Sequence, residues 1–176
     1  MYGSGRAEQV VGKAIRGLRD RVFLVSKVLP SNASYDGTRR ACEKSLRRLG
    51  VDSLDLYLLH WSGSHPIAET MRGLESLVRD GMTRLIGVSN LDVDELEPAM
   101  RALKSEPLAC NQVLYHLGDR GIERNLIPFC RKHDIAVMGY SPFGHTSFPK
   151  PSSAGGRVLA RVAAESGKTL RQVVLS

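Results

Sequence analysis

The sequence contains no stretch of about 18 uncharged apolar residues, which excludes a membrane-spanning helix. Its opening residues, Met-Tyr-Gly-Ser-Gly-Arg, lack the apolar core of a secretory leader, and a cytoplasmic protein is expected. Cysteine is scarce: Cys42, Cys110 and Cys130 form no CxxC pair and leave an odd count. Reduced thiols packed as small hydrophobes are therefore expected in place of a disulfide framework. His65, His116, His133 and His145 show no metal-ligand spacing, so no metal is expected. There is no run of five or more basic residues, no zinc-finger spacing and no aromatic RNA-reading motif. The net charge of +7 is spread over Arg16, Arg19, Arg39, Arg40, Lys44, Arg47 and Arg48 on predicted helices. A solvated helical face explains it, and no nucleic-acid partner is expected. Also missing is the Gly-rich dinucleotide fingerprint, because no strand precedes Gly3-Ser4-Gly5 and the third glycine is misplaced.

What is present is a regular alternation. Val22 to Val28 is a β-branched apolar run that reads as a strand buried on both faces. A polar stretch from Pro30 to Asp36 leads to a helix through Arg48, stopped by Gly50. Strands are expected at Leu54 to His60, Leu85 to Ser89, Cys110 to Leu114 and Ile135 to Tyr140. Between them helices are expected from Ile67 to Asp80, from Asp92 with Glu95 in capping-box spacing, and from Asn125 to Lys132. Pro128 must lie in the first turn of its helix or kink it. Residues 144–156, rich in Pro, Gly and Ser, read as a loop before helices at Arg157 to Glu165 and Thr169 to Leu175. Strand and helix alternating in units of roughly 25 to 30 residues predict a parallel α/β sheet. Without the dinucleotide fingerprint, a (β/α)₈ barrel is favoured over a doubly wound sheet. No internal boundary appears, so residues 1–176 are expected to form one domain.

Barrel enzymes place their chemistry at the C-terminal ends of the strands. Lys27 ends the first of these strands amid apolar neighbours, where an ammonium is costly to bury. His60 and Trp61 end the second, Ser89 and Asn90 the third, Gln112 the fourth, and Tyr140 with Ser141 the fifth. Taken singly, each has an ordinary structural explanation: a core histidine, a snorkelling lysine, a core tyrosine, turn and cap chemistry. Five successive strand ends carrying polar or aromatic groups point instead to a site.

The ordered motifs resemble those of the aldo-keto reductase family, in its bacterial form. MYGSGRAEQVVGKAI (residues 1–15) resembles the family's catalytic-tyrosine segment, VFLVSKV (residues 22–28) its lysine strand, and DLYLLHW (residues 55–61) its histidine strand. GVSN, NQVLYH and VMGYSPFG resemble three successive cofactor-contacting strand ends. The resemblance implies NADPH-dependent reduction of a small aldehyde or ketone to an alcohol. By it, Tyr2 is the general acid, Lys27 stabilises the phenolate, and His60 orients the carbonyl. Ser89, Asn90 and Gln112 hold the carboxamide of NADPH, Tyr140 stacks on the nicotinamide, and Ser141, Phe143 and Gly144 meet the pyrophosphate. Trp61 lines the substrate pocket.

The sequence also departs from that pattern. The family's aspartate, five residues before the tyrosine, has no counterpart, nor have the first two strands, the last strand or the segment that grips the 2′-phosphate. The expectation is a partial (β/α)₈ TIM barrel of about five parallel strands, with little or no reductase activity of its own. A non-catalytic nucleotide-binding or regulatory protein on the same scaffold is the alternative. A barrel enzyme using Lys27 as a Schiff base is a more distant one. The substrate within the carbonyl class and the oligomeric state are not legible.

Overall fold

Helix α1 (Arg6–Ala14) comes first in the computed structural model, which describes residues 2–144 and 148–176. There follow β1 (Val25–Val28), α2 (Tyr35–Leu49), β2 (Leu54–Leu59), α3 (Ile67–Arg79), β3 (Thr83–Ser89) and α4 (Val93–Ala102). The remaining elements are β4 (Leu108–Leu114), α5 (Leu126–Lys132), β5 (Ala136–Tyr140), α6 (Ala154–Ser166) and α7 (Leu170–Val174). The five strands form one parallel sheet in the order β1-β2-β3-β4-β5. Sequential parallel strands joined by crossover helices are the build of a (β/α) barrel wall.

Local chemistry sets the boundaries. The Ser34 side chain accepts from the Gly37 amide at the start of α2, and Gly50 closes that helix with φ 67°. Asp92 and Glu95 make the expected capping box at α4, and Thr169 and Gln172 make another at α7. Pro128 lies in the first turn of α5, where its missing N–H costs nothing. The sheet is continuous except between Ile86 and Gly87, where the β3–β4 register shifts. At Gly87 a Cβ would sit 2.5 Å from the Cys110 carbonyl oxygen, so only glycine lets the two strands approach there.

Several boundaries differ from the sequence reading, two of them with a clear cause. The first strand begins at Val25, because Arg19–Arg21 forms a single 3₁₀ turn and the Leu24 amide donates to the Asp55 carboxylate at 2.8 Å. Asp55, 4% exposed at the base of β2, also pairs with Arg19 at 2.8 Å and Arg84 at 2.9 Å. The helix read from Arg157 begins at Ala154, because Ser153 caps it through the Gly156 amide. The loop before it is accordingly shorter, and its residues 145–147, His145 among them, lie outside the described residues.

Strand β2 is buried at every residue, on both faces of the sheet, and its one charged side chain is Asp55. The larger cluster, including Val28, Cys42, Tyr57, Leu59, Met71, Leu74 and Leu77, fills the space between strands and helices. The smaller one, Leu56, Leu58 and Cys110 packed with Val25 and Met138, lies on the opposite face. All three cysteines are free and buried. No helix among the described residues is long and apolar enough to cross a membrane.

Candidate active site at the C-terminal ends of the strands

Parallel pairing brings every strand's C-terminal end to one rim, so residues far apart in sequence become neighbours there. Lys27 pairs with Leu58 across β1 and β2, Leu58 with Gly87, and Gly87 with Cys110. Its amine therefore rises from an apolar layer. That burial pushes its pKa down, with only a small opposing effect from Cys110. Among the described residues no carboxylate lies within ion-pair distance of Lys27. Its Nζ lies 5.8 Å from the centroid of the Tyr2 ring.

Tyr2 opens a short 3₁₀ segment whose Gly3 and Ser4 both adopt left-handed φ, a turn that aims the phenol back over the rim. Its hydroxyl lies 3.4 Å from His60 Nε2, a long hydrogen bond whose direction depends on the tautomer. The Tyr2 side chain is 59% exposed, so solvent reaches the phenol. His60 follows the last residue of β2, its amide held by the Val28 carbonyl at 3.0 Å. Its pKa is pushed down by burial first and by the nearby Lys27 charge second, which keeps the imidazole neutral near pH 7. Its Nδ1 is buried without a partner. Trp61, 43% exposed, packs its ring 4.1 Å from that of His60.

The neighbouring strand ends form a second group, hydrogen-bonded throughout. Ser89 donates to the Gln112 carbonyl at 2.7 Å. The Asn90 amide donates to the His60 carbonyl and to the Ser89 hydroxyl, both at 3.1 Å. Tyr140 donates to Asn90 Oδ1 at 2.9 Å. Gln112 donates only to the Met138 sulfur, at 2.8 Å, a weak acceptor that sequence reasoning did not single out. Asn90 and Ser141 hold left-handed backbone, φ 61° and 51°, at two of the strand ends. Non-glycine residues in that region are strained, and such strain concentrates at functional sites.

The bond from Asn90 to the His60 carbonyl joins the two groups into one row from Tyr2 to Tyr140. Ser141, Phe143 and Gly144 stand apart from it. They form a turn closed by the Gly144 amide on the Ser141 carbonyl at 2.8 Å. The Phe143 ring packs on Phe148 at 6.0 Å and under the Arg171 guanidinium at 5.6 Å. Arg171 was not flagged from sequence, because a basic residue on a terminal helix has no pattern of its own.

Residues 1–176 match the family model described as Aldo/keto reductase family. Over its whole length the chain is 46% identical to methylglyoxal reductase YeaE of Escherichia coli and spans 62% of that protein. Over 157 residues it is 36% identical to the glyoxal reductase of Bacillus subtilis, covering 89% of this chain and 54% of that one. An aldo-keto reductase from Klebsiella pneumoniae, solved with NADPH, superimposes with a TM-score of 0.90 at 47% identity. That likeness covers 98% of this chain and 61% of the other.

Proposed function

Since this chain belongs to the aldo/keto reductase family, we propose that it carries the catalytic residues of an NADPH-dependent reduction of small aldehydes or ketones. The observation that carries the proposal is one contact group. The Tyr2 hydroxyl lies 3.4 Å from His60 Nε2, and the Lys27 amine lies 5.8 Å from the centre of the same ring. A carbonyl oxygen placed beside Tyr2 and His60 meets a proton donor and a neutral imidazole together. Tyr2 transfers its phenolic proton to that oxygen, the Lys27 cation stabilises the phenolate left behind, and solvent returns the proton. The carbonyl carbon takes up hydride and the product is the alcohol. Trp61 supplies an apolar wall for the substrate.

The second group fits a nicotinamide carboxamide. Gln112 has an unused Oε1 and only a thioether on its Nε2, so its amide is free to pair with another amide. Asn90, whose side-chain donors are committed to His60 and Ser89, offers the remaining lone pair of Oδ1. Tyr140, tethered to Asn90, presents its ring beside them. When bound there, NADPH supplies the hydride. Ser89, Asn90 and Gln112 would orient its carboxamide, Tyr140 would stack on the ring, and Ser141, Phe143 and Gly144 would meet the pyrophosphate.

A second reading is favoured by two specific features: the 59% exposure of Tyr2 and the lack of a carboxylate beside Lys27 among the described residues. A loosely held acid and a half-buried amine with no carboxylate beside it suit nucleotide binding with little turnover. The test is a fluorescence titration of the chain with NADPH, NADH serving as comparison, followed by absorbance assays with methylglyoxal. Saturable NADPH binding with turnover abolished in Tyr2→Phe supports the reductase. Binding without turnover supports the second reading, and no binding to either nucleotide sinks both.

A further inference from the structure

A cavity of about 460 Å³ opens between α1 and α2; Glu8, Arg40, Lys44, Arg48 and Tyr57 line it, and so does Lys27 near the end of β1. Arg40, Lys44 and Arg48 recur every four residues along one side of α2, where like charges repel. Of the three, Arg48 alone has a carboxylate partner among the described residues, Glu8 at 3.0 Å. Arg40 and Lys44 are exposed at the mouth.

Two further observations make this a built site. The first is the start of α1. Its capping residue Gly5, at φ 93°, supplies no side-chain cap, and a Cβ there would lie 2.6 Å from Arg48 Nε. The guanidinium therefore packs on the positive end of the helix dipole, an arrangement that an anion would relieve. The second is Tyr57, 0% exposed, whose buried Oη makes no well-formed hydrogen bond among the described residues, with the Ser45 hydroxyl as a near polar neighbour. Burial raises its pKa strongly, so the phenol remains a neutral donor. Ser45, Glu8 and Arg48, all around this cavity, are among the groups close enough to influence that ionisation. A buried donor without a good acceptor is costly, and Tyr57 lines a cavity into which an acceptor can enter.

We propose that this groove binds a phosphate dianion, free or carried on a small organic molecule, at a place that shares only Lys27 with the residues assigned to the carbonyl site. With Arg48 paired to Glu8, Arg40 and Lys44 supply two positive charges that no carboxylate neutralises among the described residues, which matches a phosphate monoester near neutral pH. The guanidinium of Arg48 and the Tyr57 hydroxyl offer directed hydrogen bonds, and Arg40 and Lys44 close the mouth. The volume leaves room for several carbon atoms beyond the phosphate itself. Nothing in this assignment depends on the reductase reading.

The test is calorimetric titration of the whole chain with inorganic phosphate and with glycerol 3-phosphate, at ionic strength held constant with chloride. Saturable one-to-one binding is expected, weakened about tenfold or more in each of Arg40→Gln and Lys44→Gln. Both side chains are exposed, so these variants should keep the parent's circular dichroism. Tyr57→Phe should also weaken binding, with the parent's circular dichroism retained. Tighter binding of the ester identifies an organic phosphate, and equal binding identifies the free ion; either supports the anion site. Absent saturation, or affinities unmoved by the three variants, would overturn it. So would competitive expulsion of phosphate by NADPH, which would assign the anion to the nucleotide's own site.

Discussion

The Tyr2 hydroxyl and His60 Nε2 lie 3.4 Å apart across 58 residues of sequence. They meet because the turn before α1 and the end of β2 reach the same rim of the sheet. Tyr2→Phe keeps the ring under the Lys27 amine and removes only the transferable proton. We expect kcat to fall roughly 10²- to 10⁴-fold with NADPH affinity retained, measured by steady-state kinetics and fluorescence titration. Unchanged kcat would remove Tyr2 from the chemistry.

Lys27→Met should separate stability from activity. The depressed pKa of Lys27 means that the unfolded chain holds this proton more tightly than the folded one, so the buried charge works against folding at pH 7. Replacing it with methionine should raise the melting temperature while turnover is lost. A lower melting temperature would show that the amine has a stabilising partner.

His60 should titrate below the ordinary histidine value of about 6.5, since burial and then the Lys27 charge disfavour its cation. Below that pH the unfolded chain takes up the proton first, so the stability His60 contributes is complete above about pH 6.5 and declines as pH falls toward its folded pKa. Imidazole NMR signals followed against pH check this directly. In Lys27→Met the His60 midpoint should move upward, and no movement would refute the coupling.

Asp55 is the structural anchor of β1 and β2. Burial, the largest single influence, pushes its pKa up. The Leu24 amide and the Arg19 and Arg84 guanidinium groups together outweigh that and hold it below the usual carboxylate range. Its contribution is present above about pH 4 and is lost as pH falls through the lowered pKa. Asp55→Ala should cost about 1–3 kcal/mol in denaturant unfolding, by leaving the Leu24 amide and Arg19 without their acceptor. A variant as stable as the parent would show that water replaces those bonds.

Gln112→Leu preserves the volume and removes an amide whose Nε2 is held by no more than a thioether among the described residues. KM for NADPH should rise about tenfold with a smaller change in kcat. Equal nucleotide affinity in the two proteins would take Gln112 out of the carboxamide contact.

The alternation of elements was legible because its signals are local. A Gly after a helix and an Asp-x-x-Glu cap each act within a few residues, and α2 and α4 follow them closely. The start of β1 was not legible, because the Leu24 amide goes to a carboxylate 31 residues away in place of the ladder. Helix α1 escaped reading from the residue pattern because it buries no residue of its own and carries no side-chain cap. At the rim, the residue types were visible in the sequence, whereas the Asn90 link to His60 and the Met138 acceptor for Gln112 were not. The basic residues Arg40, Lys44 and Arg48 read as a solvated helical face, and two of them are exposed.

By itself the sequence determined a parallel α/β sheet, the identity of the strand-end side chains and their order, since periodicity, caps and turns are properties of neighbouring residues. Only the tertiary structure decided that Tyr2, Lys27 and His60 meet, that Gln112 keeps a free amide face, and that Tyr57 ends without a well-formed hydrogen bond beside three cations. Those outcomes depend on how strands and helices pack across tens of residues. Burial and unsatisfied hydrogen bonds are set by that packing and by no local pattern.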